Sequence, residues 1–262
     1  MATHHAKRAL EILWEEGPVE LGKRSKEFFI WNLVFTKYHR IKIHIFKNKW
    51  YNKLKFDYPA NPYKIIFVKS EKIKYWIKTD NDGNYVIPPD KYHGIGQVRE
   101  GDWDSPENRH KVHEMSEINY FEQRFNNGRE LTETDRYDYL TSKYTEETAK
   151  TRLQRYDDLF HNIKNNGYQL RDKNGNLRPG TSEHVRDRFE VFVTIDRNGN
   201  INLFDGRHRL GITRILDIEL PVQVVCRHQK WQELRDEVHN NGLPEGREDL
   251  RDHPDLQDIL GV

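Results

Sequence analysis

One stretch of the sequence, residues 189–226, changes its hydrophobic period in an order that constrains the path of the chain. Two short runs of apolar and β-branched residues flank the segment DRNGN, in which Asn198 and Gly199 are typical of a hairpin turn. A glycine-containing turn, a helical pattern and a final apolar run come next. We therefore predict a strand at 189–195, a strand at 201–204, a helix at 210–218 and a strand at 220–226.

Helical periodicity is also found on both sides of this stretch. Residues 146–166 place apolar side chains at helical spacing, with Thr145 as the predicted N-cap and Gly167 as the predicted stop. A second helix is predicted from Lys230 to Asn240, and residues 243–262 have the composition of a loosely packed tail. Together these patterns predict the α+β class, with a small mixed sheet and flanking helices.

The charge of the chain is divided unevenly along its length. Residues 1–99 carry 19 Lys and Arg against 10 Asp and Glu, whereas residues 100–262 carry 24 against 32. Charged residues make up 32% of the chain, but aromatic residues reach 12%, which is enough to bury a core. We predict a basic, aromatic-rich appendage at 1–56, a strand-rich connector at 57–99 and the α+β domain at 100–262.

The predicted appendage interleaves basic and aromatic side chains between Gly22 and Phe56. An amphipathic helix of this composition would lie in the headgroup region of a membrane and attract anionic lipid. The run IKIHIF at 41–46 has period two, however, and is also compatible with a strand. Two other interpretations stay open: lysine stems that cover an apolar face of the protein itself, and binding of nucleic acid.

Cysteine usage and hydropathy bear on the cellular compartment. The single cysteine, Cys226, cannot form a disulfide within the chain and is expected to pack in the core. No secretory leader and no run of about 18 apolar residues is found in the sequence. We therefore expect a cytoplasmic protein, with peripheral attachment to the inner face of the membrane if the appendage binds lipid.

The turn DGRHR, residues 205–209, follows a predicted strand and opens a predicted helix. The first backbone amides of a helix have no acceptor within it, and the helix dipole adds about half a positive charge there. Gly206 allows close approach of a phosphate, and Arg207, His208 and Arg209 can donate hydrogen bonds to it. These features predict a phosphate-binding turn. The alternative is that Asp205 caps the helix and pairs with the arginines.

The order helix, strand, hairpin, strand, DGRHRL, helix and strand resembles the ParB/sulfiredoxin fold over residues Arg152–Val225. In that superfamily the corresponding turn binds nucleotide phosphates. The Asp-Gly-x-x-Arg turn of the ParB-like free serine kinases is matched by Asp205, Gly206 and Arg209. The Gly-Cys-His-Arg turn of sulfiredoxin is matched except that Arg207 stands in place of the reactive cysteine, so repair of sulfinic acids is not expected.

Other branches of the superfamily match less of the sequence. The chromosome-partitioning ParB proteins bind CTP with a Gly-Glu-Arg-Arg turn, which is matched only in part, and their helix-turn-helix region is not found after the last predicted strand. The wider layout, with GDWD, LxRYDDLFxxI and DGRHRL in that order, is similar to uncharacterised archaeal ParB-like proteins. The resemblance thus implies nucleotide binding more than any one reaction.

Phosphoryl transfer requires cationic groups for the phosphates, a carboxylate for Mg²⁺ and a base near the acceptor hydroxyl. Asp205 is predicted to hold magnesium or to accept the proton, and Glu190 is the second candidate unless it is only an exposed acid at a strand edge. We hypothesise an ATP-, CTP- or GTP-dependent phosphotransferase that acts on a hydroxyl of a small molecule, a sugar or a lipid-linked glycan. The alternative is a ParB-like, nucleotide-gated nucleic-acid-binding protein without phosphotransfer.

Two further segments supply candidate substrate contacts. In GDWD, Trp103 would stack on a sugar or base while Asp102 and Asp104 bind its hydroxyls, although a capped turn with a buried tryptophan explains the pattern equally well. In RHQKW, Arg227 and His228 follow the last strand and are expected at the same end of the sheet as the DGRHR turn, with helix capping as the alternative. The sequence has no HExxH, GxxxxGK[ST] or GxGxxG pattern, which disfavours zinc peptidases and the common nucleotide-binding loops.

Overall fold

The computed structural model of the protein describes residues 37–77, 95–168, 170–171, 177–178 and 191–261. The chain is divided into two compact units, one of residues 1–46 and one of residues 47–262. Of the first unit the structure describes only the helical residues 37–46. The second unit combines a mixed β-sheet with surrounding helices, which confirms the predicted α+β class.

The described residues form seven α-helices and nine strands. The helices are α1 (Lys37–Lys55), α2 (Ser116–Phe121), α3 (Asp135–Thr141), α4 (Glu146–Asn166), α5 (Arg207–Leu216), α6 (Gln229–Asn241) and α7 (Gln257–Leu260). The strands are β1 (Ile65–Lys69), β2 (Tyr75–Trp76), β3 (Gln97–Arg99), β4 (His110–Lys111), β5 (Leu170–Arg171), β6 (Leu177–Arg178), β7 (Phe192–Ile195), β8 (Ile201–Asp205) and β9 (Glu219–His228).

Seven of these strands form one mixed sheet in the order β1-β9-β7-β8-β2-β4, with β3 paired to β9 beside β1. The strand β9 runs parallel to β7 and β3 and antiparallel to β1. The hairpin partners β7 and β8 are antiparallel, and β8 runs parallel to β2. The strands β5 and β6 pair separately.

The hairpin predicted at Asn198 and Gly199 is confirmed. The carboxylate of Asp196 accepts hydrogen bonds from the amides of Asn198 and Asn200, both at 2.9 Å, and so closes the turn between β7 and β8. Gly199 has a φ of 89°, which favours glycine, and a Cβ at this position would overlap the ring of Trp231. The sequence of the turn therefore fixes the pairing of the two strands.

Local signals also placed the helices correctly. The helix α4 begins after its N-cap Thr145 and ends at Gly167, as predicted. The helix α6 is confirmed within a residue at each end, and the helix predicted at 210–218 starts three residues earlier, at Arg207. The run at 41–46 is helical, not a strand, because it is part of α1; residues 22–36 of the predicted appendage lie outside the described residues.

The described residues of the predicted connector, 57–77 and 95–99, contribute strands to the central sheet. The strands β1 and β3 lie end to end along one edge of β9, and β2 pairs with β8. The end of α1 also joins this unit, since the side-chain amides of Asn48 and Asn52 donate to the carbonyls of Ile95 and Gly96 at 2.9 and 2.7 Å. The predicted boundaries at residues 56 and 99 are therefore corrected to a division near residue 46.

The prediction of a loosely packed tail at 243–262 is wrong. Leu250, Asp255 and Leu256 are buried. The carboxylate of Asp255 accepts hydrogen bonds from Arg227 at 2.6 and 3.0 Å and from the indole of Trp231 at 2.9 Å. Polar composition suggested exposure here, but the acid is buried because it compensates arginines of the core.

The helix α5 lies between the sheet and a cluster of helices. Leu210 belongs to the apolar core of the sheet, whereas Ile212 packs among the buried side chains of α2, α3 and α4. Between them, Gly211 lets α2 approach closely, since a Cβ at this position would lie 2.6 Å from the ring of Phe121. This packing fixes the position of the turn that precedes α5.

The buried charge of Asp255 gives a first prediction. Arg227 and Arg235 both pair with this carboxylate and, although burial opposes the effect, they hold the pKa of Asp255 well below its ordinary value. We expect Asp255→Asn to lower the free energy of unfolding by about 3–5 kcal/mol, because two buried guanidinium groups lose their counter-charge. Urea denaturation measures the change. The exposed neighbour Asp252 is the matched control, and equal losses in Asp252→Asn and Asp255→Asn would contradict the assignment.

A second prediction concerns the hairpin glycine. Gly199→Ala should lower the free energy of unfolding clearly more than Gly246→Ala does. Gly246 has a similar φ of 78°, but no atom lies within 4 Å of a Cβ added there. The control suffers only the backbone penalty of about 1–2 kcal/mol, whereas Gly199→Ala must also displace Trp231. Thermal melting of the two variants measures the difference. Equal melting temperatures would show that the hairpin does not depend on contact with Trp231.

Candidate functional site

The DGRHR turn connects the strand β8 to the helix α5. Asp205 ends β8, Gly206 has a φ of 105°, and α5 begins at Arg207. The first hydrogen bond of the helix runs from the amide of Leu210 to the carbonyl of Gly206 at 3.1 Å. Helix geometry leaves the amides of the first turn without acceptors inside the helix. Asp205 does not cap α5, because its carboxylate accepts the amide of Gly206 at 2.8 Å.

The turn lies at the carboxyl ends of two neighbouring parallel strands. Trp76 of β2 is level with Leu203 of β8, and both strands end within two residues of this pair. Ligands of α/β sheets commonly bind outside such strand ends. A β-bulge at Phe204 interrupts the pairing of β7 and β8 directly before Asp205, and bulges of this kind re-aim side chains next to functional sites.

A small pocket opens beside the turn. It has a volume of about 100 Å³ and is lined by Trp76, Met115, Leu203, Phe204, Asp205 and Arg207. Pockets that enclose whole small-molecule ligands usually measure about 300–1,000 Å³. The described residues therefore form a recess for one small group rather than a cavity for a complete nucleotide.

Arg207 forms an ion pair with Glu117, an acid that is not among the predicted site residues. Its guanidinium lies 3.3 Å from the carboxylate of Glu117 in α2, and its side chain is 43% exposed. Glu117 is itself buried and pairs with Arg136 of α3 at 2.7 Å. One carboxylate thus faces two guanidinium groups, which leaves the group of three with one positive charge in excess. No local motif marks Glu117, because only the packing of α2 on α5 brings it to the turn.

His208, predicted to donate a hydrogen bond to phosphate, is largely buried. Burial lowers its pKa to about 4, helped by Arg207 and Arg136 and opposed by Glu117 and Asp205. Its ring lies 4.2 Å from the ring of Tyr156 in α4. Within the described part of the chain, its buried Nε2 has no hydrogen-bond partner. His208 therefore contributes packing and a neutral imidazole, not charge.

Arg209 is not among the residues that line the recess. It is only 7% exposed, and its guanidinium carbon lies 5.2 Å from the centre of the ring of Tyr168. The prediction that Arg207 and Arg209 converge on one phosphate is therefore not met in this structure. Of the predicted phosphate-binding residues, Arg207 lines the recess together with Asp205, and Gly206 lies between these two in the chain.

The segment 101–104 is held in place by hydrogen bonds from Arg197. The carboxylate of Asp104 is fully buried and accepts hydrogen bonds from the backbone amide and the guanidinium of Arg197, the shortest at 2.6 Å. Although burial opposes the effect, these bonds hold the pKa of Asp104 below its ordinary value. Asp102, with an 83% exposed side chain, binds the same guanidinium at 2.7 Å, and Trp103 is buried. These contacts fit the alternative interpretation of GDWD, a fixed turn with a buried tryptophan.

The prediction that Arg227 and His228 lie at the same end of the sheet as the turn is wrong. Asp205 is level with Phe192 and, across it, with Gln223, whereas Arg227 is level with Ile195. The four residues from Gln223 to Arg227 correspond to about 13 Å along the strand, at roughly 3.3 Å per residue. The two predicted sites are therefore at opposite ends of the sheet.

Both residues have structural partners at their own end. Arg227 is buried against Asp255, with donor–acceptor distances of 2.6 and 3.0 Å. His228 caps α6, since its Nδ1 accepts the amide of Lys230 at 3.1 Å, and its Nε2 lies 3.0 Å from the carbonyl of Gly101. The capping interpretation of RHQKW is therefore the one that the structure supports.

The structure gives little information on two predicted parts of the reaction centre, Glu190 and the metal site. Glu190 lies outside the described residues. Among the residues that the structure describes, no group of three or more His, Cys, Asp and Glu side chains is arranged to hold a metal ion. The magnesium role of Asp205 thus stays a prediction. Cys226 is buried, as expected, and burial raises the pKa of its thiol to about 12.

Comparisons with known proteins give no relative from which a role could be taken. No family model, no curated protein and no solved structure matches the chain. Of the helices that the structure describes, none combines the length and apolar character needed to cross a bilayer.

The buried imidazole gives a prediction about pH. The unfolded chain takes up a proton on His208 near pH 6.5, whereas the folded protein resists it until about pH 4. Stability should therefore fall as the pH drops from about 6.5 to about 4, since the unfolded state binds more protons in this range. One pKa unit corresponds to about 1.4 kcal/mol, so His208 should account for up to about 3 kcal/mol of this fall.

The measurement is urea denaturation at a series of pH values. His208→Gln should show a shallower fall than the wild type between pH 6.5 and pH 4. His113→Gln is the matched control, because this exposed histidine is hydrated in both states, and it should keep the wild-type slope. Identical slopes for the wild type and His208→Gln would show that the imidazole is not buried in its neutral form.

Proposed function

We propose that the protein is a nucleotide-dependent phosphotransferase of ParB/sulfiredoxin-like fold that transfers a phosphoryl group to a hydroxyl. The single observation that carries this proposal is that Asp205 and Arg207 line one recess at the amino end of α5. Phosphoryl transfer depends mainly on positioning and on compensating the charge of the phosphate, and this recess supplies a cation, helix amides and a carboxylate in one place.

The residues of the turn have separate roles in this proposal. Arg207 and the first amides of α5 would bind the terminal phosphate of the nucleotide, and Gly206 leaves room for it. Since the recess measures about 100 Å³, the remainder of the nucleotide would lie outside it. Asp205 would orient the acceptor and take the proton of its hydroxyl as the phosphorus–oxygen bond forms, while the nucleoside diphosphate leaves.

Magnesium is compatible with this arrangement. Mg²⁺ is usually held by one or two carboxylates together with the substrate phosphates, so a single carboxylate at the edge of the recess fits its needs. The carboxylate of Asp205 is the group that would hold it, and the ion would neutralise phosphate charge. Glu117 is less suited, because Arg136 and Arg207 already compensate its charge.

Glu117 has a positioning role in this proposal. By pairing with Arg207 at 3.3 Å, it holds a side chain that is otherwise half exposed at the rim of the recess. Arg136 supplies a second counter-charge to the buried carboxylate of Glu117, and a bond of 2.8 Å from its guanidinium to the hydroxyl of Ser116 fixes its own place. A fixed guanidinium loses less entropy when it binds phosphate than a mobile one.

The proposal predicts different losses in two variants. Asp205→Asn should retain nucleotide binding but reduce the release of nucleoside diphosphate by roughly 100-fold or more, as is typical for loss of a general base. Arg207→Ala should weaken binding by about tenfold, since a charge-assisted hydrogen bond is worth about 1.5 kcal/mol at the low end of its range. The measurements are calorimetry with ATP, CTP or GTP and Mg²⁺, and phosphorus NMR with small-molecule, sugar and glycan acceptors.

Matched controls exist on the same scaffold. Asp217 is an exposed aspartate at the other end of α5, and Arg251 is exposed beyond α6, so Asp217→Asn and Arg251→Ala should behave as the wild type. Absence of binding heat for every nucleotide would contradict the proposal. Nucleotide binding without turnover, combined with nucleotide-dependent retention of DNA or RNA, would instead support the ParB-like nucleic-acid-binding alternative.

A further inference from the structure

The outer face of α1 carries large apolar side chains that are more than half exposed. Within the second compact unit, Trp50 is 53% exposed, Tyr51 58% and Leu54 84%. Lys47, Trp50, Tyr51 and Leu54 are spaced i, i+3, i+4 and i+7, which puts them on one side of the helix. We call Lys47, Trp50, Tyr51, Lys53 and Leu54 the Trp50 face.

This face is held outward by the other side of the same helix. Asn52 is buried, and its amide donates to the carbonyl of Gly96 at 2.7 Å, while Asn48 donates to the carbonyl of Ile95. Phe56, one turn beyond Asn52, is also buried. Rotation of α1 to bury Trp50 and Leu54 would break these contacts, so the exposed apolar side chains are fixed in place.

The charge around the Trp50 face has one sign. Lys47 and Lys53 are exposed. Among the described residues, neither of them forms an ion pair, whereas Lys55 pairs with Glu100 at 3.3 Å. No acidic residue occurs between Lys37 and Phe56. A partner that covers this face must therefore accept apolar side chains at its centre and provide negative charge at its edge.

We propose that the Trp50 face docks the protein on an anionic lipid surface. Trp50 and Leu54 would enter the region between headgroups and acyl chains, where indole rings and aliphatic side chains are favoured, and Lys47 and Lys53 would contact lipid phosphates. Leu54 separates this partner from a nucleic acid, because bases bind by stacking on aromatic rings and offer no apolar phase for an 84% exposed leucine. This inference goes beyond the proposed phosphotransfer and does not rest on it.

The test is sedimentation of the full chain with vesicles. We expect binding to vesicles rich in phosphatidylglycerol, weak binding to pure phosphatidylcholine, and loss of binding at high salt because the lysine contribution is screened. Lys47→Gln and Lys53→Gln should each lower the partition coefficient about fivefold, since a lysine near an anionic surface is worth about 1 kcal/mol. The double variant Trp50→Ser/Leu54→Ser should lower it by about tenfold or more through the loss of buried apolar area.

Controls of matched chemistry lie elsewhere on the surface. Phe67 and Tyr144 are 57% and 43% exposed, so Phe67→Ser/Tyr144→Ser removes a similar apolar area outside α1 and should leave vesicle binding unchanged. Lys111→Gln/Lys150→Gln removes two exposed charges outside α1 and should lower binding by less than the Lys47 and Lys53 variants. All substituted side chains are exposed or half-exposed, and circular dichroism checks that each variant is folded.

Three results would overturn the proposal. The first is equal binding of the wild type and of Trp50→Ser/Leu54→Ser to anionic vesicles, or no binding by either. The second is retention of DNA or RNA that is lost in the same variants while vesicle binding is absent, which would identify a nucleic acid as the partner. The third is a dimer in light scattering that only Trp50→Ser/Leu54→Ser dissociates, which would identify the face as an interface between copies of the chain.

Discussion

Backbone hydrogen bonding along β9 is the constraint on which the rest of the structure depends. Nine of its ten residues are buried, so their amides and carbonyls must find partners within the protein on both edges of the strand. One edge pairs with β7, and the other is shared by β1 and β3, which lie end to end. Chain segments more than a hundred residues apart are thus joined by one strand, and this explains why β1 and β3, which lie in the predicted connector, belong to the central sheet.

Buried charge is the second organising feature. Four arginines of the described residues are buried, and each has a defined partner: Arg227 and Arg235 lie against Asp255, Arg136 against Glu117, and Arg209 over the ring of Tyr168. Buried ion pairs of this kind add little net stability, but loss of one partner is costly, so they specify one arrangement of the core. A chain with 32% charged residues can therefore form a compact core.

The two ends of the sheet differ in the surroundings of their polar groups. At the end where β9 finishes, Asp104, Arg197 and His228 are bound to one another or to nearby backbone. At the other end, Asp205 and Arg207 border a recess at a helix start. The recess is the physical reason for placing the proposed chemistry at the DGRHR turn, and the contacts of Asp104 with Arg197 are the reason for a structural role at GDWD. The Trp50 face is a separate feature, since its exposed side chains lie on α1.

Short-range signals in the sequence determined the elements and the turns. Thr145 and Gly167 bound α4, Asn198 and Gly199 form the hairpin, and Gly206 makes the left-handed step into α5, because capping and turn formation depend on residues a few positions apart.

Only the tertiary structure decided which residues meet. The strand register separates Arg227 from Asp205, the packing of α2 brings Glu117 to Arg207, and burial turns Arg209 to Tyr168. These outcomes depend on partners that are far apart in the chain, such as Glu117 and Arg207, which are separated by 90 positions. Local periodicity carries no information about such pairings, since strand register and side-chain burial are set by the whole sheet at once.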